Sequence, residues 1–204
     1  MTTSEPVIFI VDDDESVRDS LSGLLEASGF RTEVFPSAKA FLAAGALAKT
    51  GCLIADIRMP DMDGLELQTE LKRQGSALPV IVMTGHGDVP LAVRAMKAGA
   101  IDFLEKPYDA AGLLQSVRYA LQSPQGAAPT PGGPSAEVRD KLQTLTPRER
   151  EVLDLVVAGT LNKVIAHKLS ISPRTVEIHR ARVMQKMGAR NLPELIRMFV
   201  AVRT

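Results

Sequence analysis

Side chains that could carry phosphoryl chemistry stand at the ends of short apolar runs in the first half of the chain. Asp12 and Asp13 follow the run at 7–11, Asp56 ends the run at 52–56, Thr84 follows the run at 79–83, and Lys106 comes soon after the run at 100–104. If these runs are parallel strands, their carboxyl ends meet along one edge of a sheet, where ligand sites form. Three carboxylates gathered there would raise one another's pKa unless a cation lay between them, and an all-oxygen ligand set favours Mg²⁺ or Mn²⁺. A carboxylate in such a site can attack a phosphoryl group to form an acyl phosphate, while Lys106 and Thr84 stabilise the phosphoryl oxygens.

The elements that would position these side chains alternate through residues 1–123. Five apolar, β-branched runs lie near 7–11, 31–35, 52–56, 79–83 and 100–104, and helical patterns lie near 15–28, 37–47, 64–74, 89–98 and 109–121. This alternation predicts right-handed crossovers and a parallel sheet covered by helices on both faces. The expected fold class is therefore α/β, with a five-stranded, doubly wound, flavodoxin-like sheet. A strand order of 2-1-3-4-5 would place the first and third strands side by side and bring Asp12, Asp13 and Asp56 together.

Composition separates a second domain from the first. Residues 124–134 hold four prolines, three glycines and no charged residue, which is typical of an interdomain linker. Residues 135–204 show only helical patterns, near 136–143, 147–157, 161–169, 173–187 and 191–202, and are predicted to form a small all-α domain. The net charge of zero conceals two opposed halves: residues 1–123 carry 17 acids and 11 bases, a net charge of −6, whereas residues 135–204 carry 7 acids and 13 bases, a net charge of +6. A small basic helical domain favours nucleic acid as a partner.

Other features of the sequence argue against a membrane or secreted protein. The N-terminus lacks the basic start of a secretory signal, and no apolar stretch approaches the roughly 20 residues of a membrane helix. The single cysteine, Cys52, cannot form an intramolecular disulfide. We expect a cytoplasmic protein that has no membrane partner.

Four sequence segments resemble the receiver domain of bacterial two-component response regulators. They are IVDDDESVR, DIRMPDMDG, VMTGHGDVP and DFLEKP, in this order between residues 10 and 107. The resemblance implies that Asp56 is the phosphoacceptor and that Lys106 and Thr84 stabilise the phosphate. It further implies a metal site made of Asp12, Asp13, Asp56 and the backbone carbonyl of Arg58. It also implies a conformational switch at Thr84 and Phe103 and a dimer face on the fourth helix at Val93 and Lys97. The family often has a cis peptide bond at the position of Lys106 and Pro107.

Three segments of the second domain resemble the DNA-binding domain of LuxR, NarL and FixJ type regulators. They are LTPREREVLDLVVAG, LNKVIAHKLSIS and RTVEIHRARVMQKMG. The resemblance implies a helix-turn-helix, which places its second helix in the major groove. The expected DNA-binding residues are Asn162, Lys163, Arg174, Thr175, Glu177, Ile178, Arg180, Arg182 and Lys186. Glu177 departs from the family pattern, because many members carry lysine there. An acid at that position could accept a hydrogen bond from a cytosine amino group or pair with a neighbour such as Arg174.

Together the two resemblances imply a transcription regulator that is activated by phosphorylation and is not a turnover enzyme. A sensor histidine kinase would phosphorylate Asp56 with Mg²⁺, the receiver would form a homodimer, and the second domain would bind promoter DNA and act with RNA polymerase. The run at 84–107 is especially similar to the nitrogen-fixation regulators of rhizobia, whose partner is an oxygen-sensing haem kinase, so activation of nitrogen-fixation or microaerobic genes is expected. Two alternatives stay open: a phosphatase-like enzyme with an aspartyl-phosphate intermediate, and a DNA-binding protein that does not depend on phosphorylation.

Overall fold

Five parallel strands form one sheet in the order β2-β1-β3-β4-β5, which confirms the predicted fold class. The strands are β1 (Val7–Val11), β2 (Arg31–Phe35), β3 (Gly51–Asp56), β4 (Val80–Thr84) and β5 (Asp102–Glu105). The structure, a computed structural model, describes residues 5–45, 50–85, 89–122 and 135–203, so the predicted linker at 124–134 lies outside the described residues. Every residue of β1, β3 and β4 is buried, because helices cover both faces of a doubly wound sheet. These strands are therefore almost uninterrupted apolar runs in the sequence.

Helices follow the strands, and the first three of them begin at capping residues. The helices are α1 (Glu15–Ala27), α2 (Ala38–Ala43), α3 (Gly64–Arg73), α4 (Val89–Ala98) and α5 (Ala110–Gln122). The Asp14 side chain accepts the backbone N–H of Ser16 at the start of α1, and Asp63 and Glu66 form a reciprocal capping box at the start of α3. The loops after β1 and β3 therefore end in helix caps, and these caps fix the chain next to the carboxyl ends of both strands.

Alternate residues of the strands build two separate apolar layers, as the two-residue period of a strand requires. On one face, Ile8 and Ile10 pack with Leu21 of α1 and with Leu113 and Val117 of α5. On the other face, three aromatic rings pack edge to face or tilted, with centroids 5.6 Å apart for Phe9 and Phe41 and 5.3 Å apart for Phe35 and Phe41. The sheet is held rigidly between these layers, so the residues at the strand ends have fixed positions.

The C-terminal half is entirely helical over its described residues. Its helices are α6 (Ser135–Gln143), α7 (Pro147–Val157), α8 (Asn162–Lys168), α9 (Pro173–Met187) and α10 (Leu192–Arg203). Ser172 caps α9 through the backbone N–H of Thr175, and Gly188 ends the same helix in the left-handed conformation with φ 68°. One apolar cluster joins α7, α8 and α9 through Val152, Ile165 and Val176, and a second joins α6, α7, α9 and α10.

The described residues group into two compact units. The first contains the sheet with α1, α2, α3 and α5, and the second contains α4 with the helices α6 to α10. Within the described ranges, no helix has both the length and the apolar character needed to cross a membrane.

Candidate functional site

An ammonium group and two buried carboxylates meet at the carboxyl edge of the sheet. Lys106 Nζ, from the loop after β5, donates to Asp12 Oδ2 at 2.8 Å and to Asp56 Oδ1 at 2.5 Å. Asp12 directly follows β1 and is 1% exposed, whereas Asp56 ends β3 and is 6% exposed. Because β1 and β3 are neighbours in the sheet, residues 44 positions apart in the chain share one pocket. Two buried carboxylates this close together require a cation, and Lys106 supplies it.

The second oxygen of Asp56 is held by the backbone. Arg58 N–H donates to Asp56 Oδ2 at 2.6 Å, so both oxygens of this carboxylate accept hydrogen bonds. Burial raises the pKa of Asp56 above the ordinary range of an aspartate; the hydrogen bond and charge of Lys106 oppose this rise, and the charge of Asp12 adds to it. The pKa of Lys106 is also raised: burial acts to lower it, but the hydrogen bonds that Lys106 donates to Asp12 and Asp56, together with the charges of these carboxylates, outweigh that effect.

Thr84 and the backbone of Lys106 complete the rim of the pocket. Thr84 is the last residue of β4 and is 3% exposed, and its carbonyl accepts the backbone N–H of Lys106 at 2.8 Å. Its hydroxyl makes a long hydrogen bond, of 3.3 Å, to the carbonyl of Gly85. The peptide bond between Lys106 and Pro107 is cis, as expected. The structure therefore brings together Asp12, Asp56, Thr84 and Lys106, each at the end of a different strand.

Asp13 differs from its neighbour Asp12 because its side chain is exposed to solvent. Among the residues that the structure describes, no three His, Cys, Asp or Glu side chains lie close enough together to hold a metal ion. The Lys106 ammonium group bridges the carboxylates of Asp12 and Asp56. The metal site of Asp12, Asp13 and Asp56 stays a prediction. Carboxylate oxygens are hard ligands, which suit Mg²⁺ because this ion keeps several waters and needs only one or two protein carboxylates.

Sequence reasoning missed two residues that fix the backbone of this pocket. Arg18 of α1 donates from Nη1 to the carbonyl of Asp12 at 2.8 Å, which anchors the turn that carries the acidic side chains. Gly64, the first residue of α3, packs so closely that an added Cβ would lie 2.4 Å from the carbonyl oxygen of Asp56. Both positions lie inside the quoted motifs, but only the folded backbone reveals which atoms they meet.

The other residues predicted for the first domain lie outside the pocket. Phe103 lies in β5 and is half-buried. On α4, Val93 is buried and Lys97 is exposed.

The second helix of the predicted helix-turn-helix, α9, presents a continuous exposed face. Six predicted DNA-binding residues of α8 and α9 are exposed: Lys163, Arg174, Glu177, Ile178, Arg182 and Lys186. Thr175 is half-buried. Glu177 Oε2 lies 3.5 Å from Arg174 Nη1. The Glu177 carboxylate, which departs from the family pattern, therefore pairs with a residue of its own helix. An exposed pair of this kind contributes only a few tenths of a kcal/mol.

Three predicted DNA-binding residues form side-chain hydrogen bonds that join α9 to another helix. Arg180 Nη1 donates to Asn162 Oδ1 at 2.7 Å and links α9 to α8, and burial lowers the pKa of this guanidinium. Lys186 Nζ donates to the buried Glu149 carboxylate at 2.7 Å and to the carbonyl of Thr144 at 3.0 Å. Lys186 and Glu149 are separated by 37 positions in the sequence, so the sequence alone does not predict that they pair.

The fold, the acidic pocket and the helical domain together define a class of protein. The sequence model of the response regulator receiver domain matches residues 8–118, and that of the bacterial regulatory proteins of the luxR family matches residues 143–199. The chain therefore belongs to the response regulators that carry a LuxR-type DNA-binding domain, a non-enzymatic family of transcription regulators. Within that family it is similar to the transcriptional regulatory protein FixJ.

The similarity to FixJ extends over nearly the whole chain. FixJ of Azorhizobium caulinodans is 52% identical over 200 residues, which cover 97% of this chain and 93% of the relative. FixJ of Rhizobium meliloti is 50% identical over 194 residues, 95% of each chain. The crystal structure of full-length FixJ from B. japonicum superimposes with a TM-score of 0.57 at 43% identity and 98% coverage of both chains.

Proposed function

We propose that phosphorylation of Asp56 by a sensor histidine kinase switches this regulator into its DNA-binding form. The observation that carries the proposal is the position of Lys106 Nζ, which contacts the carboxylates of Asp12 and Asp56 at once. One oxygen of Asp56 faces this cation and the other faces the backbone N–H of Arg58. As the carboxylate attacks phosphorus, its own negative charge falls, and both groups can turn to balance the charge of the phosphoryl oxygens.

The transfer step is a displacement at phosphorus. A carboxylate oxygen of Asp56 forms a bond to the phosphoryl group as the bond from phosphorus to the kinase histidine nitrogen breaks, and the histidine keeps the electron pair. The product is an acyl phosphate on Asp56. Lys106 and the hydroxyl of Thr84 then lie where they can bind phosphoryl oxygens, and a shift of Thr84 toward the phosphate would be accompanied by movement of Phe103.

We further propose that a divalent cation binds beside Asp56 during the reaction. Asp12, Asp56 and the backbone carbonyl of Arg58 are hard oxygen donors suited to Mg²⁺ or Mn²⁺, and Asp13 could act from its exposed position. When bound, such an ion neutralises charge on the transferring phosphoryl group. Because Lys106 occupies hydrogen-bond positions on both buried carboxylates, its ammonium group must yield part of these contacts to the ion.

The output would be a homodimer that binds promoter DNA. The proposed dimer face includes α4, on which Lys97 is exposed and Val93 is buried. Joining two helix-turn-helix domains raises their effective concentration on adjacent half-sites, which strengthens binding without new contacts. Lys163, Arg174, Thr175, Glu177, Ile178 and Arg182 are the proposed DNA-facing residues.

The similarity to FixJ suggests the biological setting. FixJ relatives at 52% and 50% identity favour control of nitrogen-fixation or microaerobic genes, with an oxygen-sensing haem kinase upstream and RNA polymerase as the partner at the promoter. The ion pairs of Lys106 with Asp12 and Asp56 favour a regulator whose DNA binding depends on phosphorylation over one whose DNA binding does not.

A mass measurement tests the assignment of Asp56. Wild type, Asp56→Asn and Asp13→Asn would be incubated with acetyl phosphate and Mg²⁺, and the intact masses compared. We expect one phosphoryl group on the wild type, none on Asp56→Asn, and slower modification of Asp13→Asn. Equal modification of Asp56→Asn and the wild type would contradict the proposal.

A further inference from the structure

The first turn of α7 contacts both helices of the helix-turn-helix through two neighbouring side chains. Arg148 Nη2 donates to the carbonyl of Leu169, which caps the end of α8, and Arg148 Nη1 donates to Glu151 Oε2 at 2.6 Å. Glu149 accepts Lys186 Nζ from the last turn of α9 at 2.7 Å. One turn of α7 thus holds the end of α8 and the end of α9.

The contact with α8 meets a specific need of the turn. The last carbonyls of a helix have no partner within the helix, and they carry partial negative charge. The chain turns immediately after Leu169, where Ser170 adopts a left-handed conformation with φ 53° that is uncommon for residues other than glycine. A guanidinium donor on the Leu169 carbonyl therefore fixes the turn that sets the direction of α9.

The contact with α9 involves a buried charge. The side chain of Glu149 is 3% exposed and also completes the capping box of α7 by accepting the backbone N–H of Thr146 at 2.9 Å. The hydrogen bond from Lys186, followed by that from the Thr146 backbone, lowers the pKa of Glu149 to about 2, so the carboxylate is charged at neutral pH. If Lys186 moved to a DNA phosphate, a charged carboxylate would be left buried without its ammonium partner, which is costly.

Lys186 is exposed but lies at the edge of the recognition face of α9 rather than along its centre. The exposed residues Arg174, Ile178, Ala181 and Gln185 repeat at helical spacing along one face of α9, opposite the buried Val176 and Val183. Lys186 lies to one side of that face, and its ammonium group also donates to the carbonyl of Thr144, ahead of α7. The Lys186 ammonium group, which has three N–H donors, thus has two hydrogen-bond acceptors inside the domain.

We propose that Arg148 and Glu149 are positioning residues for DNA recognition, and that Lys186 completes this clamp instead of binding the DNA backbone. The clamp holds the two helices of the helix-turn-helix in the relative orientation that DNA requires. Arg148 acts through α8 and Glu149 acts through Lys186.

The first arm of the test asks whether Lys186 contacts phosphate. The probe is a random-sequence DNA duplex, and the protein is the full chain with Glu149→Gln and Lys186→Gln combined, which removes both charges and keeps two groups able to hydrogen bond. Each phosphate contact contributes about 0.9 to the slope of log affinity against log salt. We expect the double variant to keep the wild-type slope. A slope smaller by about 0.9 per chain would assign Lys186 to the DNA backbone and overturn the proposal.

The second arm separates positioning from mere stability. Arg148→Met and Glu149→Gln are compared with the matched variants Arg150→Met and Asp154→Asn, which alter two neighbouring charges of α7 that pair with each other rather than with the clamp. Affinity is measured well below the melting temperature, where circular dichroism shows each variant to be folded. We expect Arg148→Met and Glu149→Gln to bind DNA about tenfold more weakly, with an unchanged salt slope. Arg148→Lys should recover part of the lost affinity. The matched variants should lose less than about threefold. Folded variants that bind DNA as tightly as the wild type would show that the clamp contributes only stability.

Discussion

Asp56 combines two properties that rarely occur together in a side chain: it is buried, and it is charged. Burial alone would favour the protonated form, and the neighbouring Asp12 adds to that tendency. Lys106 acts in the opposite direction through a hydrogen bond of 2.5 Å and its positive charge. The result is a carboxylate whose reactivity depends on the balance of a few nearby charges.

The pH dependence of phosphorylation should report this balance. The attacking species is the ionised carboxylate, and burial places the pKa of Asp56 above that of an ordinary aspartate, so the rate should fall at a higher pH than it would for a solvated aspartate. Lys106→Met removes the opposing cation and should move the acid limb to higher pH still. The measurement is the initial rate with a small phosphodonor whose own ionisation is constant over the range. An acid limb shifted downward in Lys106→Met would contradict this electrostatic account.

The same pKa shift makes a prediction about stability. A carboxyl group whose pKa is higher in the folded than in the unfolded chain binds its proton more tightly in the folded chain. Its protonation therefore stabilises the fold at low pH, and this stabilisation is lost as pH rises through the unfolded-state pKa and then the folded-state pKa. At pH 7 the ionised Asp56 therefore destabilises the fold. Asp56→Asn removes that charge and leaves Lys106 paired with Asp12, so its melting temperature in metal-free buffer should exceed that of the wild type. The difference should shrink as the pH is lowered toward the pKa of Asp56, and a lower melting temperature for the variant at pH 7 would refute the prediction.

At the scale of elements, the start of α3 is tied to the end of β3. The Gly64 backbone N–H donates to the carbonyl of Ile57 at 3.1 Å, and the space for a Cβ at Gly64 is filled by the backbone of Asp56. Helix α3 thus fixes the strand end that carries the pocket.

Two glycine substitutions should have opposite effects. Gly64→Ala forces its Cβ to within 2.4 Å of a backbone oxygen and should lower the free energy of unfolding by about 1–3 kcal/mol. Gly23→Ala places a Cβ in open space on an exposed face of α1 and should raise it by about 0.5–1 kcal/mol. Urea denaturation of both variants gives the comparison. A Gly64→Ala variant as stable as the wild type would contradict the close contact between Gly64 of α3 and the backbone of Asp56 in β3.

The apolar runs identify β1, β3 and β4, the caps at Asp14 and Asp63 mark where helices begin, and the rule for parallel sheets locates the site at the strand ends. β5 begins at Asp102, two residues later than its apolar run suggests. The hydrogen bonds of Lys186 and Arg180 could not be predicted, because they join helices that only the folded domain brings together. Both side chains have the charge expected of a DNA contact, and only their hydrogen bonds in the folded domain, to Glu149 and to Asn162, indicate an internal role.

At the scale of the whole molecule, the neutral net charge is divided between an acidic half and a basic half, −6 for residues 1–123 and +6 for residues 135–204. Part of the basic charge is used internally, since Lys186 pairs with Glu149 and Arg180 bonds to Asn162. The exposed cations left on α8 and α9 include Lys163, Arg174 and Arg182.

The salt dependence of DNA binding should reflect those exposed cations. Three phosphate contacts per chain predict a slope of about −3 for log affinity against log salt, because each contact contributes about 0.9. The measurement is fluorescence anisotropy with a random-sequence duplex over a range of salt concentrations, and Lys163→Gln should reduce the slope by about one. Affinity that did not change with salt would show that the basic face does not bind DNA.

We propose that phosphorylation of Asp56 in the acidic half controls DNA binding by the basic half. The most direct measurement is the affinity of full-length wild type and Asp56→Asn for duplex DNA, each with and without acetyl phosphate and Mg²⁺, at one salt concentration. The account predicts tighter binding by the wild type after treatment and no change in Asp56→Asn. An equal response of the two proteins, or no response of a wild type whose phosphorylation is verified by mass, would contradict it.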